Sequence, residues 1–264
     1  MTDIKFENPP GQPPIAYLID GQSNLGRCGM VWLGGFKSDM TGSKAEALAA
    51  LGRETRRPCL RFDYSGHGAS GGDFMDGTIS AWLDQSCHMF LAHGEGRRIL
   101  VGSSMGGWLA LLLYRRLRQT NPQAARRIAG LVLIAPAADM TADLMWDQFP
   151  EEVRAALRGK GVWMRPSLYG DPYAITQRLI SDGAAHLMLR DGLDADCPVR
   201  ILQGSADPDV PPGHAMKLFA ALRGADITLT LIKGGDHRLS TPGNLALLRE
   251  TVLRLAERAD GLSV

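Results

Sequence analysis

Arg98-Ile99-Leu100-Val101-Gly102-Ser103-Ser104-Met105-Gly106-Gly107-Trp108-Leu109-Ala110-Leu111 is the stretch that decides the fold. The apolar run at its start suits a strand buried on both faces, and the run from Trp108 onward is rich in helix formers. Between them Gly102 to Gly106 spells G-x-S-x-G. A strand that turns sharply into a helix holds its central residue in strained backbone geometry, and glycines two positions away on either side avoid collisions across that turn. The hydroxyl of Ser104 is thereby presented beside a helix N-terminus, where free N–H groups and the helix dipole favour negative charge. A flexible turn of small residues is the bland alternative; the flanking strand and helix argue against it. Ser103 is the adjacent competitor, but only Ser104 has glycine at both −2 and +2.

Working outward, short β-rich runs at 15–19, 29–33, 58–63, 128–135, 199–204 and 227–233 join the strand 98–102. They alternate with helical stretches at 44–55, 78–93, 105–118, 213–222 and 242–259. This alternation predicts an α/β fold, a mostly parallel central sheet flanked by helices on both faces. In the last helix, Thr241 is placed to cap the first turn ahead of Pro242, and Leu245, Leu248, Val252 and Leu255 recur at helical spacing. The 60 residues 137–196 break the pattern. They show no clear strand, and helical pieces are expected after Pro150 and Pro172, together with the large apolar and aromatic residues Trp146, Phe149, Trp163, Met164, Leu168, Tyr169 and Tyr173. A structureless loop of that size is improbable in a compact domain, so the reading is one domain over 1–264 with a helical cap inserted at 137–196.

A serine hydroxyl needs an imidazole to take its proton and a carboxylate to orient that imidazole. After the strand 199–204 comes Ser205-Ala206-Asp207-Pro208-Asp209, and after the strand 227–233 comes Gly234-Gly235-Asp236-His237. Both turns lie at strand C-termini, where open α/β sheets place functional groups. The expected triad is therefore Ser104, Asp207 and His237, in that chain order. Asp209 is the rival acid, its ordinary role being to form a turn. His67, His88, His93 and His214 read as structural or solvated, and His186, in the insertion, is the other imidazole placed to approach a substrate. The oxyanion hole needs two backbone donors, and Met105, following the nucleophile, and Phe36, in the Gly34-Gly35-Phe36-Lys37 loop, are the candidates. Trp146, Trp163 and Met164 are the candidate substrate-binding residues, although such side chains more often simply pack a cap.

Gly66-His67-Gly68-Ala69-Ser70-Gly71 matches G-x-G-x-x-G after a strand. A dinucleotide site would require this loop to open directly into a helix, whereas Gly72, Asp73 and Gly77 postpone the helix to about Thr78. The loop is read as pocket support, and neither a metal nor an organic cofactor is expected.

Composition bounds the partners. With 29 basic and 28 acidic residues the net charge is +1, which leaves no footprint for nucleic acid. No apolar stretch approaches the roughly 20 residues that span a bilayer. Four scattered cysteines without a CxxC pair suit free thiols in a reducing compartment. Residues 1–14 lack the basic start and apolar stretch of a secretory signal, so a cytoplasmic address is expected.

Gly34 to Phe36, Arg61-Phe62-Asp63-Tyr64-Ser65-Gly66, Val101 to Trp108, Gly159-Lys160-Gly161-Val162-Trp163 and Asp236-His237-Arg238 together resemble one branch of the α/β-hydrolases. That branch contains the mitochondrial palmitoyl-protein thioesterase, also described as an acyl-glucuronide esterase, and its bacterial relatives. The animal members carry Pro-Gly-Tyr where this chain has Gly34-Gly35-Phe36, and they have a mitochondrial presequence. The resemblance implies esterase or S-deacylase chemistry on a small acyl ester or thioester, or on an S-acylated protein. Amide, lactone or carbon–carbon bond hydrolysis, and a ligand-binding receptor or scaffold with little turnover, stay open as alternatives.

Overall fold

The strand Ile128–Ile134 is buried at all seven positions and lies between two parallel neighbours, Arg98–Ser103 and Val199–Gly204. Side chains alternate across such a strand, so each face must meet its own apolar layer. In the computed structural model, which describes residues 3–21, 26–166 and 172–262, that is what happens. Leu131 and Leu133 join a cluster containing Trp82, Phe90, Trp108 and Leu111. Val132 and Ile134 join another containing Leu48, Leu248, Val252 and Leu255.

Across the sheet the strands run Lys5–Glu7, Ile15–Asp20, Cys59–Phe62, Gly29–Leu33, Arg98–Ser103, Ile128–Ile134, Val199–Gly204 and Ile227–Ile232. The first two junctions are antiparallel and the other five parallel. Helices Ser43–Thr55 and Pro242–Ala259 cover one face, while Ile79–His93 and Met105–Thr120 cover the other. Thr78 and Thr241 cap their helices by accepting from Ala81 N and Asn244 N. This is the expected α/β-hydrolase architecture, and every strand that leads into a candidate catalytic turn belongs to the parallel part.

Two features depart from the sequence reading. The strand Lys5–Glu7 is short and largely exposed, and the alternation Ile4-Lys5-Phe6-Glu7 is too brief to reveal it; Glu7 fastens it to the helix Ile79–His93 through His88 at 3.3 Å and His93 at 2.9 Å. Within 137–196, helices form at Glu151–Lys160 and Gln177–Gly183, but an antiparallel strand pair, Val162–Arg165 with Tyr173–Thr176, stands between them. Pro172 thus precedes a strand and not a helix. Tyr173, Ile175 and Thr176 are aromatic or β-branched and favour a pleated surface, a four-residue signal easily lost beside helix-forming neighbours. Leu168 and Tyr169 lie outside the described residues.

A buried ion pair ties the end of the last helix to the starts of the strands Gly29–Leu33 and Cys59–Phe62. The Arg57 guanidinium, 2% exposed, donates to Asp260 Oδ2 at 2.6 Å and to the Cys28 carbonyl at 2.9 Å. Asp260 Oδ1 accepts from Cys28 N at 2.6 Å. Removing one partner of a buried pair strands the other charge, so Asp260→Ala is expected to cost about 3 kcal/mol. A thermal melt should register it as a drop of roughly 6–12 °C for a domain of this size; a melt unchanged from wild type would contradict the buried-pair account.

Candidate active site

Ser104 sits at φ 55°, ψ −120°, a sparsely populated backbone region that costs energy and persists only where its surroundings hold it. They do. Its N–H donates to the Ile134 carbonyl at 2.9 Å, and its own carbonyl accepts from Ala137 N at 3.1 Å. A Cβ on Gly106 would stand 2.0 Å from the Leu33 carbonyl oxygen, and one on Gly102 would stand 2.2 Å from the Gly106 carbonyl oxygen. The two outer residues of the motif are therefore glycine because backbone occupies the space. Gly106→Ala is expected to destabilise by about 3 kcal/mol, the upper end of what overpacking costs, read from the midpoint of urea unfolding; a midpoint equal to wild type would refute this packing argument.

The parallel strands end on one edge of the sheet, which brings the turns carrying Asp207 and His237 to Ser104. His237 Nε2 lies 3.1 Å from Ser104 Oγ, and its Nδ1 lies 2.9 Å from Asp207 Oδ2. The carboxylate can only accept, so Nδ1 carries the proton and Nε2 is free to accept from the serine hydroxyl. The loops are laced together: Ala206 N donates to the Gly235 carbonyl at 2.9 Å, and Gly234 N to Ser205 Oγ at 2.8 Å. Lys44, from the first helix, donates to the Arg238 carbonyl, one residue after His237. Burial lowers the Lys44 ammonium to about 8, with the nearby Arg238 charge adding to the effect.

The carboxylate that meets His237 is that of Asp207 and not that of Asp209. Asp207 is buried, whereas Asp209 is exposed and contributes its backbone N–H to Asp207 Oδ1 at 2.9 Å. Val210 N donates to the same oxygen at 2.8 Å, and Gln203 Nε2 shares Oδ2 with His237 at 3.2 Å. Burial alone would raise the pKa of Asp207, but the hydrogen bond and charge of His237, helped by the Val210 and Asp209 N–H groups, hold it below the ordinary carboxylate value. Gln203 was not singled out from the sequence. A glutamine near the C-terminal end of a strand whose neighbours Ile201 and Leu202 are apolar was the available signal, since a polar group buried there demands a partner. Among the described residues Asp207, Asp209 and His237 also form a cluster whose potential ligand atoms fall within 4.8 Å. All four acceptor directions of Asp207 are already used by N–H donors, which suits proton transfer better than metal binding.

The candidate oxyanion donors flank the same serine. Met105 opens the helix that follows Ser104, and a Cβ on Gly35 would stand 3.4 Å from Ser104 Cβ, so the loop carrying Phe36 passes against the nucleophile. Among the described residues neither the Phe36 nor the Met105 N–H has a protein acceptor. The Phe36 ring is wedged between Phe74 at 5.0 Å, Trp82 at 5.9 Å and the hairpin residue Tyr173 at 5.7 Å between ring centroids.

Other sequence candidates are not gathered here. Trp163 packs edge-on against Phe149 at 5.3 Å, Trp146 lies under the guanidinium groups of Arg154 and Arg158, and Met164 is 53% exposed. His186 is buried against Ser80 Oγ at 2.7 Å and the Asp182 carboxylate at 3.9 Å, which makes it a fastener between the helices Ile79–His93 and Gln177–Gly183. The glycine-rich loop folds onto Asp63: a Cβ on Gly68 would stand 2.0 Å from Asp63 Oδ2, and the next α-helix starts only at Ile79.

Comparison with known proteins bears on the family and the fold. Residues 30–246 match the α/β hydrolase family. The chain is 31% identical over 260 residues to human mitochondrial palmitoyl-protein thioesterase ABHD10, covering 97% of this chain and 81% of the relative. Among solved structures, a protein from Agrobacterium vitis S4 assigned as a hydrolase superposes with a TM-score of 0.92 at 41% identity, over 97% of this chain and 99% of that one. Mouse alpha/beta hydrolase domain-containing protein 10 superposes with a TM-score of 0.84 at 29% identity, over the same shares. With the elbow, the sheet order and these relatives together, the chain belongs to the α/β-hydrolase family.

Proposed function

We propose that this protein is a serine hydrolase that cleaves carboxylic esters or acyl thioesters through an acyl-enzyme intermediate. The observation that carries this reading is the continuous hydrogen-bonded line from Asp207 through His237 to Ser104. In the proposed cycle His237 Nε2 takes the hydroxyl proton as Ser104 Oγ attacks the acyl carbon. The Phe36 and Met105 N–H groups stabilise the oxyanion, and His237 returns the proton to the departing alcohol or thiol. Water, activated by the same imidazole, then releases the acid and restores the serine. The acyl donor is a small ester or thioester, or an S-acylated protein, in keeping with relatives named as palmitoyl-protein thioesterases.

The insertion 137–196 is proposed as the substrate cap. Trp146 and Trp163 would line its apolar side, and Met164 would meet only a substrate long enough to reach the outer face of the hairpin. Burying one large apolar side chain against a ligand is worth about 2 kcal/mol. Trp163→Ala should therefore raise KM for a long-chain acyl ester at least tenfold and leave acetate ester kinetics within a factor of about two; equal effects on both would remove Trp163 from the acyl path.

Among the described residues no helix is long and apolar enough to cross a membrane. The free cysteines support a reducing compartment, proposed as the cytoplasm, while the curated relatives are named mitochondrial.

The test is a panel of aryl esters, acyl thioesters and anilides followed by rapid mixing. The expected result is turnover of esters and thioesters with a burst of about one leaving group per chain, and slow or no anilide cleavage. Saturable binding with no turnover on any of the three would favour a receptor and overturn the proposal.

A further inference from the structure

The loop that carries Phe36 holds a non-glycine residue in the left-handed region. Gly35 to Ser38 form a tight turn, closed by Ser38 N donating to the Gly35 carbonyl at 3.1 Å, and Lys37 at its third position has φ 60°. A turn with positive φ there ordinarily takes glycine, so something must hold this one. The Lys37 N–H donates to His67 Nε2 at 3.2 Å. On the other side of the ring, His67 Nδ1 lies 3.2 Å from the Ser65 carbonyl.

Both partners have fixed roles, since a backbone N–H only donates and a carbonyl only accepts. The ring must therefore be neutral, with its proton on Nδ1 and a bare Nε2. The surroundings enforce neutrality. His67 is 4% exposed and ringed by Tyr64, Phe74 and Trp82 at centroid distances of 5.6, 5.2 and 5.1 Å. Burial pushes its pKa down to about 4, against the smaller opposing effect of the Ser65 carbonyl.

We infer that His67 is a positioning residue for the hydrolysis proposed above: as a fixed Nδ1–H imidazole it accepts the Lys37 N–H and so sets the peptide planes that aim the Phe36 N–H at the oxyanion. This inference rests on that reading of the site. The rival account is a core histidine that satisfies its own polar atoms and has no bearing on rate.

Three variants separate the two accounts. Glutamine can place its amide oxygen near the Nε2 position and keep the acceptor for Lys37; asparagine is too short to do so but can keep the Ser65 contact; leucine keeps only bulk. Displacing a transition-state donor by a fraction of an ångström costs up to about a hundredfold. The inference predicts that His67→Asn and His67→Leu lower kcat about 10–100-fold with KM within threefold, and that His67→Gln restores kcat to within about fivefold of wild type. An arylboronic acid, whose serine adduct is tetrahedral and charged, should bind the Asn and Leu variants more weakly by the same factor as kcat falls.

Unchanged kcat and boronate affinity in folded Asn and Leu variants would overturn the inference. So would losses that glutamine does not relieve, since they would report ring packing and not the acceptor. If wild type itself shows neither turnover nor Ser104-dependent boronate binding, the hydrolase reading fails instead, which is a different outcome. Ring 15N chemical shifts of the wild type at neutral pH need no variant: the Nδ1–H tautomer is expected at His67, and the Nε2–H tautomer or an imidazolium would refute the assignment.

Discussion

Ser104→Ala is expected to reduce kcat on an activated aryl ester by a factor of about 10⁴ to 10⁶, the range seen when a triad nucleophile is removed, with the fold intact. The serine is held by its backbone: Ile134 and Ala137 bond its N–H and carbonyl, and its side chain makes one hydrogen bond, to His237. Alanine removes that contact and leaves the elbow's packing alone. Thermal stability should therefore stay within a few degrees of wild type while turnover falls to what the oxyanion donors alone supply. Ser103, buried and inside the strand Arg98–Ser103, is not expected to substitute. Substantial residual turnover with a Ser103 adduct would show that the elbow had been misassigned.

Asp207→Asn should cost nearly as much, about 10⁴ in kcat at neutral pH, by a different route. The side-chain oxygen of asparagine can still accept from Asp209 N and Val210 N at the Oδ1 position. Its amide group then faces His237 Nδ1 and Gln203 Nε2, donor against donor. The imidazole relieves this by moving its proton to Nε2, where it can no longer accept from the serine. The same site makes a signed prediction for stability. Because the folded-state pKa of Asp207 lies below its ordinary value of 3.8, its ionised form contributes stability above that value, and the contribution is lost as pH falls through the folded-state value. The Asn variant should therefore lose less stability on acidification than wild type. Identical acid-unfolding curves would contradict the four-donor picture of this carboxylate.

How much of this was legible beforehand follows from the range of each signal. The elbow is local: strand, turn and helix are all written between Arg98 and Leu111. The meeting of the Asp207 and His237 turns at Ser104 was legible because topology does the long-range work. Turns that follow parallel strands share an edge, so chain order and turn residues sufficed to point to Asp207 and His237. The same turn already favoured Asp207 over Asp209, and the coordinates add the burial that separates two aspartates two residues apart. The hairpin Val162–Arg165 with Tyr173–Thr176 was hidden because each strand has four residues, too few for alternation to stand out. The contacts that hold the loop of Phe36 were hidden for another reason. His67 and Lys37 are 30 residues apart, and their bond depends on a main-chain N–H, which has no residue-type signature. A role for Trp146 and Trp163 was least legible, because these aromatics pack among their neighbours in 137–196 much as core residues would.

The measurement that tests the central claim most directly is intact-protein mass spectrometry after brief exposure to a fluorophosphonate, with the adduct located by peptide mapping. One adduct per chain on Ser104 is expected, with labelling slowed at least a thousandfold in His237→Ala. Labelling at another residue, or labelling of Ser104 that proceeds at the wild-type rate without the imidazole, would contradict it.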